Sequence, residues 1–446
     1  MHAEQATEMK KLKLKRFAPE FAKSAYHKVR AFGAASMHRF PAEDMIIIGI
    51  TGTKGKTSTA NYIWSVLTAG GYTAGLISTA LFRIGTEETA NTYHMTMPDP
   101  FLIQKKLNEM RKRGVSIAVV EMTSEGMKQF RHLGIPVDIA VFTNLTPEHL
   151  ASHKGSFEVY KKAKAPLFLA LDHKVRTLMG KPVPRTIIAN SDSEHAAYYL
   201  GFAADKKITF GLLSGDIRAA DIVTEKNGTM FTVAKEQFRL SIPGAFNVYN
   251  ALPACAVGTI LGIASEKIAE GLRSLKVIPG RMETIEEGQD FIVVVDYAHE
   301  PASLGALITA AEALKDADGK VILLTGIIGG GRESRIPLVR VAAKRADYLV
   351  ITNEDPYDED PKHLIETLAE AAMEEGKQLE TDLFTALDRR DGIRKALSLA
   401  HRGDIVLISG KGAEHTMMTK RGAEPWNERE IVRELVRAAA DKQKSS

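Results

Sequence analysis

From residue 45 onward, the hydrophobic positions switch between two periods. The segment 45–51 is an almost unbroken β-branched run, Ile46, Ile47, Ile48 and Ile50, as in a strand covered on both faces. Residues 57–70 then keep helical spacing, followed by a short strand at 73–77, a helix over 100–113, and strands at 115–120 and 139–144. Strands and helices in alternation predict a mostly parallel sheet covered by helices. Between about 205 and 245 the period falls to two, with Asn227-Gly228 expected as a hairpin turn between ADIVTEK and TMFTVAK. After the helical NVYNALPACAVGTILG and Pro279-Gly280, strands recur at 291–296, 321–325, 348–352 and 404–409, enough for a doubly wound domain. Ahead of all this, Phe17, Phe21, Ala25, Val29 and Phe32 fall at helical spacing. Pro19 stands near the start of that helix, and Gly33 and Pro41 are expected beyond its end.

Composition narrows the class without naming it. The 446 residues suggest two or three domains, and 44% apolar with 26% charged residues is ordinary for a globular chain. Cys255 is the single cysteine, which excludes intramolecular disulfides and cysteine zinc clusters. No run reaches the ~20 apolar residues of a membrane span; the longest, 251–264, is interrupted by Pro253. With no apolar leader core either, a cytoplasmic protein is expected. The net charge of +4 is uneven: residues 1–30 hold eight Lys or Arg against three Glu, and the remainder is near neutral. A solvated helix face is the ordinary meaning of such a start, and weak contact with an anionic membrane is the alternative.

The chemistry begins where the isoleucine run breaks. Thr51-Gly52-Thr53-Lys54-Gly55-Lys56-Thr57-Ser58 is a glycine-punctuated loop between strand and helix, the layout of a phosphate cradle. Gly52 and Gly55 would turn backbone N–H groups inward, Lys56 would reach the β- and γ-phosphates, and the Thr57 hydroxyl would hold Mg²⁺. Ile50 stands where the general P-loop pattern has its first glycine, so the loop is a shortened variant. Two further strands run into polar residues, Glu121-Met122-Thr123-Ser124 and Thr146-Pro147-Glu148-His149. Glu121 and His149 are candidates to complete the shells of divalent ions.

TGTKGKTS, EMTSEGMKQFR (121–131), FTNLTPEHL (142–150), YKKAK (160–164), GAFNVYNALPA (244–254), GRME (280–283), DYAHEP (296–301) and SGKGAE (409–414) follow one another along the chain. In this order they resemble the Mur ligase family, most closely its MurE type, over about residues 45–430. The resemblance implies an α/β protein in three parts. A short, basic helical extension spans 1–44; a central P-loop ATPase domain with a mostly parallel sheet and a small β part spans 45–279; a C-terminal Rossmann-like domain that closes over ATP spans 280–446. It implies ATP-dependent, ADP-forming ligation of a free diamino acid, meso-diaminopimelate or L-lysine, to a muramoyl-dipeptide precursor of peptidoglycan through an acyl phosphate. A monomer that binds no nucleic acid is expected.

Roles carried by the resemblance are specific. Thr53, Lys54 and Ser58 join Gly52, Gly55, Lys56 and Thr57 at the phosphates. Asn247 lies near the base, and Arg281 and Asp296 also touch nucleotide. Thr57, Glu121, His149 and Lys164 hold two Mg²⁺ ions, Lys164 as the carbamate formed with CO₂, so that Lys56, His149 and Lys164 are the expected catalytic set. Thr96, Pro98, Thr123, Gln129 and Arg131 match positions that hold the muramoyl peptide, and His299, Arg332, Glu354, Asp355, Tyr357, Gly410 and Glu414 match the side of the incoming amino acid.

Three departures stand out. Only about 44 residues precede the ATPase strand in this sequence, where family members carry a domain that grips the UDP end. The selector Asp-Asn-Pro-Arg becomes Glu354-Asp355-Pro356-Tyr357, which removes the arginine that would clamp a distal carboxylate and leaves Arg332 or Arg335 as substitutes. Ala413 stands for the histidine of GKGHE, and GIIGGGRESRIP (326–337) is a loose match to its counterpart. A folylpolyglutamate-type synthetase and a non-catalytic ATP-binding relative remain as alternative readings.

Overall fold

The computed structural model describes residues 20–93, 95–148, 151–330 and 334–444. Phe17, Pro19, His149 and Arg332 therefore lie outside the described residues. The chain packs into two compact units, one from residues up to 89, 95–217 and 253–264, the other from 90–94, 218–252 and 265–446.

The first unit opens with helix α1 (Glu20–Met37). Gly33 does not end it, contrary to the sequence expectation, because a single glycine costs a helix only about 1 kcal/mol and Ala34 and Ala35 beyond it are buried. The isoleucine run forms β1 (Ile46–Thr51), all six residues buried, and feeds α2 (Lys56–Ala69). Then come β2 (Ala74–Ile77), β3 (Leu81–Ile84), β4 (Glu87–Ala90), α3 (Pro100–Lys112), β5 (Ile117–Glu121), α4 (Ser124–Lys128), β6 (Ile139–Phe142) and α5 (Phe157–Lys162). A small hairpin of β7 (Arg176–Leu178) and β8 (Lys181–Val183) precedes β9 (Thr186–Asn190) and β10 (Lys206–Gly211). The sheet order is β10-β9-β6-β1-β5-β2-β3-β4, parallel from β10 through β2. Ile47, Val120, Phe142, Leu107 and Met110 belong to the core under this sheet, where the Phe142 and Tyr199 rings stand 4.3 Å apart.

Register decides what this sheet can do. Ile50 pairs with Glu121 and Thr51 with Phe142, so β1, β5 and β6 end side by side. Their following loops must meet at the carboxyl edge, where open parallel sheets bind ligands.

In the second unit β11 (Ile217–Glu225), β12 (Gly228–Val233) and β13 (Glu236–Leu240) form an antiparallel ladder. The expected hairpin is present but its turn is shifted by one: Glu225 pairs with Gly228, so Lys226 and Asn227 make the turn and Gly228 opens the next strand. Helices α6 (Phe246–Ile260) and α7 (Ser265–Ser274) lead to β14 (Glu283–Ile285) and β15 (Ile292–Asp296). There follow α8 (Pro301–Glu312), β16 (Val321–Ile328), α9 (Arg335–Arg345), β17 (Tyr348–Asp355), α10 (Pro361–Glu374), β18 (Leu383–Ala386), α11 (Arg389–Ser398) and β19 (Ile405–Ser409). The hairpin β20 (Thr416–Thr419) and β21 (Gly422–Pro425) and helix α12 (Glu428–Lys444) complete the unit. Its main sheet runs β14-β15-β19-β16-β17-β18. The four expected strands are its centre, and the edge strands β14 and β18 are additions, too short for periodicity to reveal. Among the described residues no helix is long and apolar enough to cross a membrane.

Candidate functional site

The loop after β1 is shaped by what surrounds it. Gly52 has φ +149°, and a Cβ there would stand 2.0 Å from Thr143 Oγ1, so no other residue fits. Gly55, at φ 80°, caps α2. The loop is tied down from β6: Thr53 N–H donates to the Asn144 carbonyl at 2.9 Å, Lys54 N–H to Asn144 Oδ1 at 2.9 Å, and Thr143 Oγ1 to the Lys54 carbonyl at 2.7 Å. The Thr53 hydroxyl meets Tyr160 Oη at 3.1 Å and accepts from Thr146 N–H at 3.0 Å. Thr143, Asn144 and Tyr160 were not assigned a role from sequence, because their partners lie about 90 to 107 residues away. The result is a rigid turn at a helix N-terminus, where backbone N–H groups and the helix dipole favour an anion.

Three lysines surround this turn. Lys56 Nζ folds back to donate to the Gly52 carbonyl at 3.1 Å and the Thr53 carbonyl at 3.0 Å. Lys164 Nζ donates to the Gly52 carbonyl at 3.0 Å while lying 4.4 Å from the centre of the Tyr160 ring. Lys54 pairs with Glu148 at 2.9 Å. Lys164 is 1% exposed. Burial, and then the Lys56 charge, push its ammonium well below the ordinary lysine range, with Glu148 opposing.

Beside the loop, Glu121 is fully buried at the end of β5. It accepts from Thr57 Oγ1 at 3.2 Å, from Thr79 N–H at 3.0 Å and from Thr79 Oγ1 at 3.0 Å. Thr79 Oγ1 in turn meets Thr96 Oγ1 at 2.8 Å. A hydroxyl and a carboxylate this close suit a hard cation such as Mg²⁺. Among the described residues no group of three or more His, Cys, Asp or Glu side chains is placed to hold a metal ion; the expected set includes a threonine and a lysine instead, and His149 lies outside the described residues.

The expected peptide-side residues also converge. Arg131 donates to the Met97 carbonyl, to Met95 Sδ at 3.2 Å and to Gln129 Oε1 at 2.6 Å. Burial pulls its guanidinium below the ordinary arginine range, Asp99 and Glu125 opposing. Thr123 caps α4 through Gly126 N–H at 3.1 Å, its own N–H facing Met97 Sδ, and Pro98 is buried beside Met97. Thr96, Pro98, Thr123, Gln129 and Arg131 thus belong to one wall next to Thr79 and Glu121.

In the second unit Asp296, His299, Glu354, Asp355, Gly410 and Glu414 stand at or just past the carboxyl ends of β15, β17 and β19, whereas Asn247 stands near the start of α6. Asp296 accepts from Met282 N–H at 2.6 Å and Ala298 N–H at 2.8 Å, and the Arg281 guanidinium lies 4.3 Å from the Tyr297 ring centre. His299 Nδ1 faces the Tyr297 carbonyl at 2.7 Å. Asn247 is buried and donates to the Pro243 carbonyl at 2.8 Å. Lys411, missed from sequence, is the centre of an acidic nest: it donates to both Asp355 oxygens at 2.9 and 3.0 Å and to Glu414. Tyr297 Oη donates to Glu414 Oε1 at 3.1 Å. Glu354 is buried next to this nest, and burial raises its carboxyl to about 8 against the pull of Arg389 and Lys411. Room for it comes from Gly410, where a Cβ would stand 2.3 Å from Glu354 Oε2. Arg389 is itself neutralised by Glu428, both fully buried. Tyr357 is 40% exposed. Arg335 is engaged by Glu359 at 2.6 and 2.9 Å, which leaves it poorly suited to clamp a substrate carboxylate.

Two family descriptions match: the Mur ligase middle domain over residues 50–258 and the Mur ligase glutamate ligase domain over 280–412. A UDP-N-acetylmuramyl-tripeptide synthetase of Treponema denticola is 36% identical over 424 residues, covering 90% of this chain and 78% of that protein. A UDP-N-acetylmuramoyl-L-alanyl-D-glutamate--2,6-diaminopimelate ligase of Bacillus cereus is 33% identical over 404 residues, covering 89% and 79%. A solved diaminopimelate ligase of the same description superposes with TM-score 0.63 at 26% identity, over 94% of this chain and 84% of that one. A phosphate turn ringed by lysines, a buried carboxylate beside it and these likenesses lead to one conclusion: the chain belongs to the Mur ligase family of ATP-dependent, ADP-forming peptide ligases.

Proposed function

We propose that the chain adds a diamino acid, meso-diaminopimelate or L-lysine, to a muramoyl-dipeptide precursor, working in the cytoplasm where ATP is at hand. Residues 45–279 would serve ATP and the precursor, and 280–446 the incoming amino acid. The observation that carries this reading is the meeting of Lys56, Lys164, Thr57 and Glu121 around one phosphate turn.

The precursor carboxylate takes the γ-phosphoryl group, and the amine then attacks the acyl phosphate, forming the amide and releasing phosphate. Lys56 and the N–H groups of the loop offset the repulsion between the two anions. Thr57 and Glu121 would hold Mg²⁺, which spreads the charge of the transferring phosphoryl group when bound. Lys164, whose ammonium form is disfavoured by burial, would react through its neutral amine, which has the free electron pair that CO₂ requires. Its amine would add CO₂ and lose a proton, giving a carbamate anion that would help hold Mg²⁺. Arg131 and Gln129 would hold the peptide, and the Lys411, Asp355 and Glu414 nest would receive an amino-acid ammonium. Tyr357 at the selector position replaces the arginine expected to clamp a distal carboxylate, which favours lysine, while Lys420 and Arg421 line the cavity beside it and Arg332 lies outside the described residues.

The test is a matrix of phosphate-release assays crossing UDP-muramoyl-dipeptide and simpler acceptors with meso-diaminopimelate, lysine, ornithine and glutamate. Release that depends on a muramoyl peptide and a diamino acid is expected. Glutamate as the sole productive amine would point to a polyglutamate-type synthetase, and no amine dependence at all to a non-catalytic ATP binder.

A further inference from the structure

In the nest around Lys411, the carboxylates of Asp355 and Glu414 outnumber the one ammonium, so a negative charge is left for a ligand. Exposure says which acid offers it. The Lys411 side chain is at 0% and that of Asp355 at 8%, while that of Glu414 is at 19%. Glu414 is therefore the member that an incoming ammonium meets. Its two oxygens have different holders: Lys411 Nζ donates to Oε2, and Tyr297 Oη donates to Oε1 at 3.1 Å. A hydroxyl fixes a carboxylate without cancelling its charge, which a second lysine would do. The neighbouring Ala413 has no side-chain donor to duplicate that hydroxyl.

Tyr297 is itself held. The Arg281 guanidinium lies over its ring at 4.3 Å, and the His299 ring stands edge-on at 4.5 Å. A Cβ on Gly412, at φ +52°, would stand 2.9 Å from the Tyr297 Cβ. The loop that carries Glu414 thus rests on the residue whose hydroxyl holds it. A diamino acid brings two amines, and the one that attacks must be neutral. A carboxylate favours the charged form of an amine beside it, so the amine at Glu414 is the one that does not attack. We infer that Tyr297 is a positioning residue for amino-acid selection: its hydroxyl fixes the Glu414 carboxylate as the seat of one substrate ammonium and leaves the other amine to react. This deepens the ligase reading and rests on it.

Tyr297→Phe removes the hydroxyl and keeps the ring against Arg281 and His299. With L-lysine and meso-diaminopimelate as amines, phosphate release by this variant is expected to show an amine KM raised about tenfold, the scale of one hydrogen bond to a carboxylate. The kcat and the KM for ATP should change far less, as when lost binding is equal in ground and transition states. Glu414→Gln, which removes the charge itself, is expected to raise the amine KM further. An unchanged amine KM in Tyr297→Phe overturns the inference, as does an ATP KM that rises as much as the amine KM. A KM raised in Tyr297→Phe but not in Glu414→Gln overturns it too, because the hydroxyl would then act through another group. Wild-type enzyme without amine-dependent release removes the ligase reading and this inference with it; wild-type release with an unaltered variant removes the inference alone.

Discussion

Lys56 and Lys164 donate to one acceptor, the Gly52 carbonyl, at 3.1 and 3.0 Å. Two ammonium groups sharing one carbonyl repel each other, and only Lys164 is fully buried. Burial, and then the Lys56 charge, therefore lower the proton affinity of Lys164 well below that of an ordinary lysine.

A carbamate on Lys164 is expected to appear as a ¹³C carbonyl resonance on incubation with labelled bicarbonate, and to be absent from Lys164→Met. Turnover of that variant should fall by about 10³-fold, the scale for losing an electrostatic stabiliser of phosphoryl transfer. A fully active Lys164→Met enzyme would remove the carbamate.

The same lysine makes a stability prediction. Its folded-state value lies well below the unfolded value, which is about 10.4. The unfolded chain binds the extra proton, so the burial cost is full below the folded value and fades as pH rises from there toward the unfolded value. Lys164→Met should melt higher than the unmodified, bicarbonate-free wild type at pH near 7, with the gap narrowing on the alkaline side.

Glu354 runs the other way. Its carboxyl is raised from 4.5 to about 8, so the folded state holds the proton that the unfolded state has lost between those values. Its contribution is fully present below the unfolded value and declines as pH rises to about 8. Glu354→Gln, neutral throughout, should flatten that decline in urea-unfolding midpoints; an unaltered slope would show that the carboxyl is ionised at neutral pH.

Arg389 and Glu428 form a buried pair with both side chains at 0% exposure. Arg389→Met alone should cost about 3–5 kcal/mol by stranding the Glu428 charge, and Arg389→Met with Glu428→Leu should recover much of it. Calorimetric melting of the two variants checks this, and equal losses would mean the charge is accommodated elsewhere.

Tyr357 sits where the diaminopimelate-type selector has arginine. Tyr357→Arg should raise the kcat/KM ratio of diaminopimelate over lysine by about tenfold or more, the worth of a bidentate ion pair partly desolvated. No change in that ratio would place the distal carboxylate away from this loop.

The chain alone determined the alternation of strands and helices and the phosphate turn, because both follow from local rules: period, glycine freedom and helix capping. It also named Lys56, Thr57 and Glu121, since each closes or follows a strand. Only the tertiary structure decided that burial disfavours the Lys164 ammonium, that Asn144 and Tyr160 brace the turn, and that Lys411 gathers Asp355 and Glu414. Those outcomes depend on burial and on partners far away in sequence, which no local pattern encodes. The first helix shows the same division: spacing revealed its apolar stripe, but packing chose the alanines for the interior and left the phenylalanines facing out.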